Sequence, residues 1–185
     1  SSDPYALRRA GNGILQILWA KGWKLNIIDL LNRASSYWSD NLPSLEVVAS
    51  SLVQELSEFL RHRLISLMEE SGIDNDLINA VAGDTVDIKN ILLDPSDAKL
   101  RAELLVEMRR NGELINIQAV VTRAARLAEK GNLPSSILSP EGFIDESLFE
   151  KPSEEAMLLV LKSLEPIASG SGSSRYQELA SGLSS

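Results

Sequence analysis

The longest regular pattern in the chain runs from Ser44 to about Ser71, where Leu45, Val48, Leu52, Leu56, Phe59, Leu60, Leu64 and Leu67 recur with a helical period. That spacing lays one apolar stripe along a helix and is incompatible with a strand, whose side chains alternate at every second residue. Ser44 is placed to cap this helix and Gly72 to end it.

The same period governs the rest of the chain. Asp3 and Pro4 mark a helix start, because aspartate accepts from free first-turn N–H groups and proline at the first helical position gives up no bond. Leu7, Ala10, Ile14, Ile17 and Leu18 define the expected inner face of this helix, which runs to about Lys21 before Gly22. A second helix is expected from Asn26, with Ile27, Leu30, Leu31, Ala34 and Trp38 as its stripe and a loop over Ser39–Pro43. Asp84 to Asn90 is polar and carries no clear element. Pro95 excludes a helix running through Asp94. Helices follow at about Ser96–Arg110 and Glu113–Lys130, hinged at Asn111-Gly112, the second with Leu114, Ile117, Val120, Val121, Ala124 and Leu127 as its expected buried face. Leu133–Gly142 reads as loop, and Ser153 opens a helix carrying Met157, Val160, Leu161 and Leu164. Ser169–Ser174 is a flexible linker by composition, and Tyr176–Leu183 forms a short last helix. The expectation is an all-α bundle of about seven to eight helices, with no repeat period and no strand.

The chain has no cysteine, so disulfides, thiolate metal sites and cysteine nucleophiles are excluded. No apolar run reaches membrane-spanning length. No signal-peptide pattern opens the sequence, whose start reads as the middle of a longer protein. The net charge of −8 opposes a polyanionic partner in general, but the charge is uneven. Up to Arg63 there are seven basic and six acidic residues, so the negative excess lies beyond it.

Asp3-Pro4-Tyr5-Ala6-Leu7-Arg8-Arg9-Ala10, followed by Gly13-Ile14, resembles the opening of the C-terminal, DALR-type anticodon-binding domain of the bacterial-type glycyl-tRNA synthetase β subunit. Glu55-Leu56-x-x-Phe59-Leu60-x-x-Arg63-Leu64, then Gly72, then Asp76-x-Ile78-x-Ala80-Val81, resembles a second block of the same family. Val121-Thr122-Arg123-Ala124-x-Arg126-Leu127 stands where many members have Asn-Lys-Arg-x-x-Asn, and matches that form only at Arg123. This variant, and Asp145–Lys151, are similar to the cyanobacterial and plastid branch. The resemblance implies a helical anticodon-binding domain over 1–168, a linker over 169–174 and a short helix over 175–185, with the family's domain continuing further. It implies binding of the anticodon arm of a glycine tRNA, in an enzyme that joins glycine to that tRNA. ATP and Mg²⁺ would serve the whole enzyme, and this fragment would hold neither. The implied partners are the tRNA, the remaining β-subunit domains and the catalytic α subunit, with no membrane and no DNA. The implied location is a chloroplast stroma, also a mitochondrion, or a cyanobacterial cytoplasm.

No catalytic set stands out. The single histidine, His62, lies between Arg61 and Arg63 on the long helix and reads as a surface residue. Glu69-Glu70 and Glu154-Glu155 read as solvated faces. Gly11 and Gly13 lie inside a helix, where each costs about 1 kcal/mol relative to alanine. Close helix–helix approach explains them most simply, and contact with RNA backbone is the alternative. Trp19, Trp23 and Trp38 read as core, with base stacking open to any that is exposed. Arg109, Arg110, Arg123, Arg126 and Lys130 form the best basic candidate, because Arg123, Arg126 and Lys130 share one helix face. Arg8 and Arg9 either hold a carboxylate or touch RNA, and with Arg61 are the next candidates. A helical protein–protein module without RNA contact is the competing function, favoured by the acidic charge.

Overall fold

The computed structural model describes residues 4–41, 48–131, 144–170 and 174–184. These residues form nine α-helices, one short 3₁₀ turn and no strand, so the all-α expectation holds. The helices are α1 (Pro4–Lys21), α2 (Ile27–Asn41), α3 (Ala49–Glu70), α4 (Asn75–Ala82), α5 (Ile88–Leu93), α6 (Pro95–Asn111), α7 (Glu113–Lys130), α8 (Pro152–Ser169) and α9 (Arg175–Ser184). The expected cap at Ser44, the loop over 133–142 and residues 171–173 of the Ser/Gly linker fall outside the described residues. The chain divides into two compact units, Ser1–Val106 and Glu107–Ser185.

In the first unit α3 is the central helix, packed by α1, α2, α4 and α5. Its buried Leu60, Leu64, Leu67 and Met68 meet Leu15 and Leu18 of α1, Ile27 of α2, Ile78 and Val81 of α4, and Ile91 and Leu92 of α5. The expected stripe on α3 is therefore correct in its C-terminal half, while Val48 is exposed. On α1 the inward face is Gly11, Leu15 and Leu18, and Leu7, Ile14 and Ile17 are exposed. Both faces of α1 carry apolar residues, so periodicity alone did not select between them. On α2 the inward face includes Ile27 and Ser35, whereas Leu30 and Trp38 are exposed. The helix also continues through Ser39 and Asp40 to Asn41, past the expected loop start.

The turns follow local capping chemistry. Asn26 Oδ1 accepts from Asp29 N at 3.1 Å and opens α2. Asp94 Oδ1 accepts from Ser96 N at 3.1 Å and from Asp97 N at 3.2 Å, and so caps α6 behind Pro95. Within the stretch over Asp84–Asn90 begins a helix the periodicity did not resolve: α5, six residues long and running on to Leu93, capped by Asp87 accepting from Lys89 N at 2.9 Å.

Arg61 is the one buried charged side chain among the described residues, with a side-chain exposure of 5 %. Its Nη1 donates to Gly83 O at 2.8 Å and its Nη2 to Val86 O at 3.0 Å. Glu58 lies 3.3 Å from its Nε. The guanidinium thus ties α3 to the loop between α4 and α5. Arg61 is withdrawn from solvent and is not an RNA-contact candidate.

In the second unit α9 packs against α8 and α7. Gly182 allows the close approach: a β-carbon there would lie 2.5 Å from Leu164 Cδ2. Glu154 Oε2 accepts from Glu150 N at 2.7 Å and Lys151 N at 2.8 Å. It is a capping group of α8, which opens at Pro152 one residue ahead of the expected Ser153, and not merely part of a solvated face.

Candidate nucleic-acid interface

The second unit presents a basic helix face. Gly112, in the left-handed region at φ +83°, separates α6 from α7, and Asn111 Oδ1 accepts from Glu113 N at 3.0 Å to start the new helix. Along α7, positions three and four apart stack one above another. Arg123, Arg126 and Lys130 accordingly line one open groove of about 560 Å³, together with Gln118, Thr122, Ile115 and Leu127.

The expected burial of α7 is overturned. None of its residues is buried; Leu114 and Ile117 are half-buried, and Val120, Val121, Ala124 and Leu127 are exposed. The apolar stripe signalled an amphipathic helix correctly, but α9 is a ten-residue helix and covers only part of it. Leu127 lines the groove beside the cations instead of facing a core.

Arg109 and Arg110 occupy the last turn of α6, favourably for the helix dipole, and both are exposed. Neither is among the described lining residues of the α7 groove, and Arg109 engages a partner of its own. Arg8 and Arg9 are exposed on α1, and each also makes an interaction. Of the basic candidates, the structure brings Arg123, Arg126 and Lys130 together in one groove. Gln118 and Thr122 were not anticipated. Their spacing of four residues, continued by Arg126, was the available signal.

The tryptophans separate. Trp19 packs against the core of the first unit and its indole N–H donates to Pro95 O at 2.9 Å. Trp23 and Trp38 are exposed, contrary to the core expectation. His62 is exposed, as expected. No group of histidine, cysteine and carboxylate residues among the described residues could hold a metal ion. No helix among them is long and apolar enough to cross a membrane.

Residues 1–83 match the family model of the glycyl-tRNA synthetase β subunit. Over 99 % of its length the chain is 41 % identical to the glycine–tRNA ligase β subunit of Acaryochloris marina and 37 % identical to that of Picosynechococcus. It is 31 % identical over 83 % of its length to the corresponding subunit of Limosilactobacillus fermentum. The chain spans only about a quarter of these relatives, 26 % of the first. No solved structure matches it. The all-α fold, the match over the first helices and the near-complete alignment with cyanobacterial β subunits agree: the chain belongs to the glycyl-tRNA synthetase β-subunit family, on its cyanobacterial branch.

Proposed function

We propose that this chain is the tRNA-binding region of a glycine–tRNA ligase β subunit and that the α7 face contacts the anticodon arm of a glycine tRNA. The observation that carries the reading is the alignment of Arg123, Arg126 and Lys130 along one open groove, in a chain that is otherwise acidic. Local positive charge, not net charge, governs contact with phosphates. Gln118 and Thr122 add hydrogen-bonding groups to the same groove. Arg109, Arg110, Arg8 and Arg9 are exposed as well, and of these Arg109, Arg8 and Arg9 already engage other groups of the chain.

On this reading the chain contributes binding and not chemistry. ATP and Mg²⁺ serve the whole enzyme, whose other parts are the remaining β-subunit domains and the α subunit that carries aminoacylation. The setting is a cyanobacterial cytoplasm or a plastid derived from one. A second reading, a helical module that binds protein, draws on Ile115 and Leu127, exposed by 75 % and 63 % in the same groove.

Equilibrium binding of a glycine tRNA transcript to the chain, measured over a range of salt, tests the proposal. Binding that weakens steeply as salt rises supports it, because each neutralised phosphate releases condensed counterions. No binding at low salt favours the protein module.

A further inference from the structure

We infer that the indole of Trp23 is a stacking platform for an unpaired RNA base. The inference rests on the tRNA-binding reading above and adds to it a contact on the first compact unit. A tryptophan ring is the largest apolar group available to a core, yet 58 % of Trp23 is exposed.

The exposure is not that of a loose segment, because the backbone at Trp23 is held on both sides. Its N–H donates to Leu18 O at 3.1 Å, closing the end of α1. Its carbonyl accepts from the Ser96 hydroxyl at 3.2 Å, which ties the turn to the start of α6. Between them, Gly22 takes the left-handed conformation at φ +61°, which side chains rarely adopt. The fold thus fixes the main chain of this turn and leaves the ring outside. Trp19, one helical turn earlier, shows the contrast: its N–H is bonded to Pro95 O, and Lys99 lies over its ring at 5.3 Å.

The surroundings favour a polyanion. Lys21 and Lys24 flank the ring in sequence, and both are exposed. The turn from Gly22 to Asn26 contains no carboxylate. Asp29 beyond it is paired with Arg33 at 3.1 Å, and of the two half-buried carboxylates either side of Ser96, Asp94 caps α6 and Asp97 is paired with Arg101 at 3.2 Å. Tyr37 and Trp38 are also exposed, but Asp40 stands beside them and the segment that follows lies outside the described residues. An exposed indole between cations is the combination that binds single-stranded nucleic acid, since every base offers a π face to the ring and phosphates to the lysines.

The test is equilibrium binding of a glycine tRNA transcript to the 185-residue chain and to its Trp23→Ala, Trp23→Leu and Trp23→Phe variants, each at two salt concentrations. Circular dichroism first establishes that each variant keeps its helix content. Trp23→Ala is expected to weaken binding by roughly 5- to 150-fold with an unchanged salt slope, because stacking releases no counterions. Phenylalanine restores most of the affinity and leucine does not. Binding by Trp23→Ala within about twofold of the parent overturns the inference while leaving tRNA binding intact, as does rescue by leucine equal to that by phenylalanine. Absence of binding by the parent chain at low salt overturns the tRNA reading itself, and this contact with it.

Discussion

A β-carbon placed on Gly11 would lie 2.9 Å from Cε1 of Phe59, closer than real side chains approach one another. Gly11 is thus the point where α1 settles onto α3, and the backbone of one helix rests on the ring of the other. Gly13 has nothing within 4 Å of the same position. The two glycines, alike in sequence, differ in what they permit.

Substitution by alanine should separate them. Gly13→Ala gains helix propensity without a clash and is expected to stabilise by about 0.5–1 kcal/mol. Gly11→Ala gains the same propensity but displaces Phe59, and overpacking of this kind costs about 1–3 kcal/mol, so a net loss is expected. Thermal unfolding of both variants decides it. A higher midpoint for Gly11→Ala than for the parent would mean that the ring moves freely.

Arg61→Ala should be among the most damaging single changes. It leaves Gly83 O and Val86 O without their charged donor and opens a cavity beneath the loop after α4. The expected cost is about 2–4 kcal/mol, by loss of hydrogen bonds to a charged group and exposure of buried acceptors. Lysine should rescue poorly, because one ammonium cannot reproduce the fork that reaches both carbonyls. Denaturant unfolding measures the loss, and a change under 1 kcal/mol would deny Arg61 its clamping role.

Arg123→Ala with Arg126→Ala should leave the fold intact, because both residues are exposed. It should weaken tRNA binding and flatten the salt dependence by roughly one to two units of slope, at ~0.7 per phosphate contact on single strands. A folded double variant with unchanged affinity and slope would remove α7 from the interface and shift attention to Arg8 and Arg9.

Asp145 gives a local pH signal. Its carboxylate accepts first from the Ser147 hydroxyl and also from Ser147 N at 3.0 Å, and these bonds hold its pKa below the ordinary value. A depressed folded pKa means that the contribution is complete above the ordinary carboxylate range and disappears as pH falls through the lowered value. The 3₁₀ turn should therefore be indifferent to pH near neutrality and loosen only in acid. Ser147→Ala keeps the backbone bond and should raise the Asp145 midpoint part of the way back, as NMR titration would detect. An unmoved midpoint would assign the shift elsewhere.

Helix positions and the basic face of α7 were legible because both depend on spacing alone. Arg123, Arg126 and Lys130 had to share a face once α7 was a helix. Which face of a helix turns inward was less legible. On α1, Leu7, Ile14 and Ile17 make as good a stripe as Leu15 and Leu18, and the close fit of Gly11 to Phe59 decides between them. On α2 a serine, Ser35, is buried while Trp38 is exposed, which no hydrophobicity pattern favours. The six-residue α5 was hidden because it spans too few turns to show a period. Trp23 read as core, with base stacking open to it only if exposed, because its exposure arises from the turn at Gly22 and from Ser96, distant in sequence.

The clamp at Arg61 divides the positions of the neighbouring loop into two kinds. The arginine grips main-chain oxygens, which every residue type supplies, so the side chains at Asp84 and Thr85 can vary without loosening it; Asp84 itself is 3.9 Å away and almost fully exposed. Gly83 cannot vary so freely, since a β-carbon there would lie 2.6 Å from Asn79 O. A saturation library across 83–86 should therefore return a narrow column at the glycine beside broad columns at the next two positions. The loop can drift in character over evolutionary time while its path stays fixed by a residue more than twenty positions upstream.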